Sequence, residues 1–221
     1  MNIKDAILKR HSVRSFLKQD VPLEYIMDII DTAKYAPSGT NTQPWVVAVV
    51  MNDKKRELDD ALLTAFKNGT PKKPDYNYYP LKFNDDFQKR RIECGLAMYG
   101  ALNIDKQDKN ARLNQWAKNY TSFDAPVTLY IFADKSIERG SYMDCGMFIQ
   151  SIMLMAIHYN LATCPQAALA EYPDIVRSHL GYSDENILLC GIAVGYENTT
   201  DVINKYRTSR IDVANFTKIF K

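Results

Sequence analysis

Several signatures that would name a chemistry outright are missing from this 221-residue sequence. It has no Gly-x-Ser-x-Gly nucleophile elbow, no His-Glu-x-x-His zinc helix and no Gly-x-Gly-x-x-Gly dinucleotide turn. The run Gly95-Leu96-Ala97-Met98-Tyr99-Gly100 carries two glycines but lacks the Lys-Ser/Thr of a phosphate-binding P-loop. Cysteine is sparse and scattered: Cys94, Cys145, Cys164 and Cys190 form no Cys-x-x-Cys pair, and none lies near a His at ligand spacing. That argues against a zinc site or a redox dithiol. His158 and His179 have no third ligand in sight, and no metal is expected. The first residues, Met1-Asn2-Ile3-Lys4-Asp5, hold no apolar core of a secretion signal, so the thiols read as reduced in a cytoplasmic protein. The most apolar stretch, near Met147 to Ile157, is broken by Gln150 and Ser151 and falls short of the about 20 residues that a membrane helix needs. A net charge of +2 is too close to neutral to argue for nucleic acid. There is no internal repeat or low-complexity segment.

What remains is a globular profile, with 46% hydrophobic and 24% charged residues. The length fits one domain, taken as residues 1–221, with room for an inserted lobe. Leu23, Ile26, Met27, Ile30 and Ala33 follow helical spacing over 22–35, with Pro22 at its first turn. Further helices are predicted at 3–9, 53–66, 84–101, 108–117, 141–159 and 172–180. The β-branched run Trp45 to Val50 predicts a strand covered on both faces. Val127 to Phe132 and Ile187 to Val194 predict two more, and Leu161 to Cys164 a short one. The order predicts an α+β fold, a central mixed sheet covered by helices. The Tyr-rich stretch and helices at about 68–118 are an excursion able to form a lobe or lid over a cleft.

Four segments carry candidate chemistry. In Arg10-His11-Ser12-Val13-Arg14-Ser15-Phe16, two guanidiniums and a hydroxyl match the oxygens of an anion such as a phosphate. The same residues also read as a solvated basic turn. Ala36-Pro37-Ser38-Gly39-Thr40-Asn41-Thr42-Gln43-Pro44 supplies positive-φ positions and amides for an anion-binding concavity, or simply a tight helix-to-strand connection. In Thr163-Cys164-Pro165-Gln166-Ala167-Ala168, small residues let backbone approach a flat ligand; the alternative is a plain turn. Lys205, Arg207 and Arg210 form a basic tail, or only a solvated one.

Taken together, these segments resemble the FMN-dependent nitroreductase family. The residues that carry the resemblance are Arg10, Ser12, Arg14 and Phe16; Ala36, Pro37, Ser38, Asn41, Gln43, Pro44 and Trp45; Gly195 and Tyr196 at a strand end; and Arg210 in the tail. Their order and spacing match over essentially the whole chain. "YNYYP", "KNYTSFDAPV", "GSYMDCGMFIQSIMLMA" and "CPQAAL" look like the nitrobenzoate-reductase branch. The resemblance implies a nitroreductase-like homodimer with FMN in two interfacial clefts. It implies that Arg10, Ser12 and Arg210 hold the phosphate, with His11 beside it and Arg207 as a weaker candidate. Arg14 is implied at the N1 and C2-carbonyl edge of the flavin. Pro37, Ser38, Gly39 and Asn41 would reach over from the partner subunit. Asn119 would meet the pyrimidine side. Pro165, Gln166, Ala167 and Ala168 would pass the N5 edge, with an amide near Ala167 donating to N5.

The implied activity is ping-pong reduction of nitroaromatics or quinones, with NADH or NADPH as hydride donor and flavin N5 as relay. No catalytic side chain is then required, and Tyr76 to Tyr79 and Phe123 become candidates for shaping the acceptor slot. Two alternatives stay open: an FMN enzyme of this fold with another reaction, such as dehalogenation or ring oxidation, and a flavin-binding protein without nicotinamide turnover.

Overall fold

A computed structural model describes residues 2–221. The chain begins with helix α1 (Ile3–Lys9), whose Asn2 side chain accepts the Asp5 amide at 2.9 Å. Helix α2 (Leu23–Ala33) follows and buries Ile26, Ile29 and Ala33 along one stripe, as the 3.6-residue period requires. Strand β1 (Trp45–Met51) leads into α3 (Asn52–Lys67). Next come α4 (Asp85–Ala101) and α5 (Lys109–Ala117), started by Asn84 and Asp108, whose carboxamide and carboxylate accept the amides of Phe87 and Ala111. Strand β2 (Val127–Asp134), helix α6 (Arg139–Ala156), strand β3 (Ala162–Gln166), helix α7 (Pro173–Leu180) and strand β4 (Asn186–Gly195) complete the order. Pro173 opens α7, and Gly181, at φ +75°, ends it in the left-handed conformation that glycine adopts freely.

The four strands form one sheet in the order β1-β2-β4-β3. A mixed sheet was expected, but all three pairings within the chain are antiparallel. The connections from β1 to β2 and from β3 to β4 return the chain to the end of the sheet it left. Parallel pairing is confined to a single bridge between Ser12 and Thr163, because the N-terminal segment then turns to pair Phe16 antiparallel with Glu197.

Side-chain alternation sorts the sheet into two layers. Val127, Leu129, Ile131 and Ala133 of β2 join Ile26, Ile29, Phe148 and Ile152 of α2 and α6 on one face. Tyr130 and Phe132 join Leu58 and Leu62 of α3 and Val176 of α7 on the other. β1 is an edge strand whose Trp45, Val47 and Val49 pack on the first layer and Val46 and Ala48 on the second, so both its faces are covered. Trp45 stacks flat on Phe148 with ring centres 4.6 Å apart. A third, smaller cluster of Val13, Phe16, Phe123, Ala125, Cys164 and Ala193 lies under the N-terminal turn.

A bulge in β4 decides where the Tyr-rich stretch goes. Ile131 faces Cys190 but Phe132 faces Leu188, so Leu189 is the extra residue. β3 ends at the Gln166–Gly191 pair, which leaves 186–190 unpaired on that side. Residues 68–83 fill this edge. The Asp75 carboxylate accepts the Leu188 amide at 2.8 Å, and the Tyr76 hydroxyl donates to the Leu189 carbonyl at 2.7 Å. Arg177 donates to Asp75 at 2.7 Å and to the Asn186 carbonyl at 3.1 Å. The first half of the excursion is thereby pinned to β4 and α7. α4, which follows it, buries none of its residues and presents Phe87, Ile92 and Leu96 outward.

Candidate active site

The N-terminal turn is held from three directions. The Val13 amide donates to the Thr163 carbonyl at 3.1 Å, and the Leu17 amide to the Tyr196 carbonyl at 2.8 Å. Asn204, 2% exposed, stitches the tail to it: its carbonyl oxygen accepts the Arg14 amide at 2.8 Å, and its amide donates to the carbonyls of Ser15 at 2.8 Å and Asn198 at 3.0 Å. Gly195 permits the close approach. A β-carbon there would lie 2.6 Å from Pro126 Cδ and 3.0 Å from Phe16 Cδ1.

This scaffold lays Ser12 against Thr163 of β3, next to the buried Cys164. Burial pushes that thiol up to about 11, and the charges of Arg14 and Arg10 and a hydrogen bond from Ser12 pull against the rise. The Arg14 guanidinium donates to the Ser12 carbonyl at 3.2 Å and to the Tyr206 hydroxyl at 2.7 Å, and lies 6.0 Å from the ring centres of Phe123 and Tyr206. Neither Arg10 nor Arg14 has a carboxylate partner among the described residues. Two guanidiniums four residues apart without carboxylate partners suit an anion. His11 turns elsewhere: its Nε2 meets Glu197 Oε1 at 3.1 Å, on the wall of a separate cavity of about 310 Å³ that Arg10 also lines.

One turn along β3, Gln166 Nε2 donates to the Asn119 carbonyl at 3.0 Å and to its side-chain oxygen at 3.2 Å. The Oε1 of Gln166 is buried without a partner. Pro165, Gln166 and Ala167 line a cavity of about 380 Å³ with Tyr76, Tyr78, Tyr142, Cys145, Gly146, Ile149, Leu189 and Cys190. Ala168 is buried behind it. Tyr76 meets Tyr78 and Tyr142 edge-on at 6.5 and 5.4 Å. Burial raises the Tyr76 hydroxyl above its usual range and lifts the thiols of Cys145 and Cys190 to about 11 and about 12, so the wall is neutral at neutral pH.

Other expected residues fall outside this region within one chain. The Gly39 amide donates to Asp144 of α6 at 3.1 Å, and the Ser38 hydroxyl accepts the Gln43 amide at 3.0 Å. Thr40, Asn41 and Gln43 have positive φ, whereas Gly39, expected to supply one, does not. The loop's described hydrogen bonds run to α6 and within itself, not to the arginines. Arg207 donates to the Asn204 and Tyr206 carbonyls at 2.6 and 2.9 Å. Arg210 is exposed and bonds only to its neighbours Thr208 and Ser209. Phe123 is a core residue beneath Arg14 rather than part of the aromatic cavity, and Tyr79 turns from the cavity toward Phe83. Asn204, Tyr206, Glu197, Asp144 and Tyr142 were not singled out from the sequence. Asn204 and Tyr206 sit inside the same tail that was read for its cations alone.

Comparison with known proteins gives this geometry a family. Residues 7–196 match the model of the nitroreductase family, and the chain belongs to it. It is similar to a chloronitrobenzene nitroreductase of Comamonas testosteroni, 31% identical over 217 residues, covering 97% of this chain and 95% of that protein. The crystal structure of the FMN and NADPH-dependent nitroreductase NfnB from Sphigopyxis sp. strain HMH superposes with a TM-score of 0.96 at 31% identity, over 100% of both chains. The crystal structure of the FMN-dependent nitroreductase NfnB from Mycobacterium smegmatis in complex with NADPH gives 0.94 at 32% identity, covering 99% of this chain and 97% of that one.

Proposed function

We propose that this chain is a single-domain, NAD(P)H-dependent FMN oxidoreductase that reduces nitroaromatics or quinones. The observation that carries the reading is the pair of guanidiniums without carboxylate partners, Arg10 and Arg14, flanking Ser12 where it bridges to Thr163 of β3. The residues fit FMN on three counts: this donor set for a phosphate and an electron-rich ring edge, the partnerless buried Oε1 of Gln166, and the small-residue run Pro165–Ala168 beside an aromatic cavity. Bound FMN supplies a two-electron carrier that accepts hydride from a reduced nicotinamide and returns electrons to an acceptor.

The chain's own residues then bind and orient. Arg10 and Ser12 hold the phosphate, with Arg207 and Arg210 of the tail as secondary donors, while His11 stays on Glu197 beside it. Arg14 keeps a permanent cation at the pyrimidine edge, fixed by Tyr206 and Phe123, and favours negative charge there. Asn119 and Gln166 line the polar side of the ring, and the backbone of Ala167 offers an amide. Tyr76, Tyr78 and Tyr142 shape the acceptor slot and exclude water.

We place this site in a homodimer, with Pro37, Ser38, Gly39 and Asn41 supplied by the partner subunit. Supporting this, apolar side chains stand exposed on α1 (Ile3, Ile7, Leu8), on α4 and along the tail (Ile211, Val213, Phe216, Ile219, Phe220). All four cysteines are unpaired, which fits a reducing, cytoplasmic setting. No helix among the described residues is long and apolar enough to cross a membrane.

The test is anaerobic. Protein reconstituted with FMN should bleach under NADPH or NADH and recover its colour on addition of a nitroaromatic or quinone. Loss of one charge-assisted phosphate or ring contact is worth about 1.5–3 kcal/mol, so Arg10→Met and Arg14→Met should each weaken FMN binding by roughly 10- to 150-fold. Binding unchanged in both variants refutes the assignment.

A further inference from the structure

The segment between α5 and β2, residues 118–124, carries two contacts of the site at once. Asn119 meets Gln166, and Phe123 lies beneath Arg14. It also holds three successive non-glycine residues at positive φ, Ser122, Phe123 and Asp124 at +51°, +55° and +59°. Three successive non-glycine residues in the left-handed region persist only where the surroundings over-determine them.

The surroundings are unusual. Behind the segment, on α3, Lys55 and Asp59 form an ion pair inside the protein, 6% and 8% exposed. Lys55 Nζ donates to the Asp59 carboxylate and also, at 3.2 Å, to the carbonyl of Thr121. The remaining Asp59 oxygen, Oδ1, and the hydroxyl of Tyr130 on β2 are buried without partners. A buried ion pair seldom stabilises a fold more than apolar side chains of the same size, and its better-attested use is to fix a geometry.

We infer that Lys55 and Asp59 are positioning residues for the flavin pocket: the Lys55 ammonium, held by Asp59, grips the Thr121 carbonyl and sets the turn that presents Asn119 to Gln166 and Phe123 to Arg14. This rests on the functional reading above for the identity of the ligand, but not for the grip itself. Other bonds serve the same segment from its flanks. Ser122 and Thr128 pair their hydroxyls at 2.8 Å, and the Tyr120 hydroxyl donates to Glu171. Lys55 supplies the charged hold on its middle.

The charged and titratable groups facing Asp59 are Lys55 and Asp60 from α3, Asp124 from the turn and Tyr130 from β2. Burial raises the Asp59 carboxyl to about 6, against the pull of Lys55.

Hydrogen–deuterium exchange over 118–125, with FMN titrations beside it, tests the inference. In Lys55→Met the segment should lose at least tenfold in protection and FMN should dissociate at least tenfold more readily; Lys55→Arg should restore both to within about threefold of wild type. A folded Lys55→Met protein with wild-type protection there, or with lost protection and unchanged FMN affinity, overturns the proposal. Should Lys55→Met fail to fold, Asp59→Asn decides. At pH 7.5 its segment should be at least threefold less protected than in wild type; superimposable profiles overturn it. Wild-type protein that binds no FMN refutes the functional reading instead, and leaves the exchange measurements to judge the grip.

Discussion

Replacing Asp75 with Ala should unpin the Tyr-rich wall of the aromatic cavity. One carboxylate oxygen, Oδ2, serves two donors, the Arg177 guanidinium at 2.7 Å and the Leu188 amide at 2.8 Å. Arg177 is 7% exposed, and Leu188 is fully buried. Deleting one partner of a buried pair costs about 3–5 kcal/mol, an upper range here because the Asp75 side chain is 18% exposed. Here Arg177 keeps Asp174 at 2.6 Å and the Asn186 carbonyl at 3.1 Å, which places the loss near the lower limit. The stranded Leu188 amide accounts for about 1–3 kcal/mol of it. A loss of about 3 kcal/mol in a chain of this length corresponds to a fall in Tm of roughly 6–12 °C. Asp75→Asn retains an acceptor and should lose less than half as much. The functional consequence follows from the next residue, since Tyr76 holds the Leu189 carbonyl and meets Tyr142 across the cavity. KM for a nitroaromatic should therefore rise more than kcat falls, and residues 68–83 should become the first site of limited proteolysis. An Asp75→Ala protein that melts within 2 °C of wild type and resists protease in this segment would refute the reasoning.

Three other outcomes follow from particular contacts. Gly195→Ala drives a β-carbon against Pro126 and Phe16, which should cost about 1–3 kcal/mol by denaturant unfolding and weaken FMN binding through displacement of the arginine turn. Cys94 is exposed, whereas burial lifts Cys145, Cys164 and Cys190 to about 11 or 12; a thiol reagent at pH 8 should label Cys94 first, read by mass spectrometry, with the others reacting only as the solution becomes strongly alkaline. Asp59 has its carboxyl raised from 3.8 to about 6 in the fold, so the native state holds this proton more tightly than the unfolded chain does. Its contribution to stability is thus fully present below about pH 4 and is lost as pH rises through 6. The Tm of Asp59→Asn should gain on that of wild type between pH 4 and pH 7, and parallel curves would count against a raised carboxyl.

Periodicity and punctuation are local, and the sequence determined what is local. Apolar residues at helical spacing marked α2, a long apolar stretch marked α6, a β-branched run marked β1, and uncharged, mostly apolar runs marked β2 and β4, because a helix or strand must bury the face its own period creates. Asn84 and Asp108 started helices where the sequence placed them. The basic turn, the Pro37–Asn41 loop and the Pro165–Ala168 run could be picked out as donors and close-approach backbone from residue types alone. What they would meet could not be read this way, and a family resemblance supplied it.

Tertiary structure decided strand direction and partnership. Antiparallel pairing throughout depends on where each helical connection returns the chain, which no local pattern encodes. The Leu189 bulge, which opens β4 to Asp75 and Tyr76, is a register mismatch between strands about 60 residues apart and leaves no mark in either one. Asn204 looked like one more polar tail residue until folding laid it against Arg14 and Ser15. Nothing in the sequence marks Lys55 and Asp59 out from the other charged residues of α3. Only the packing of α3 beneath 118–124 withdrew them from water, and desolvation is what turns such a pair from surface decoration into a fixed support.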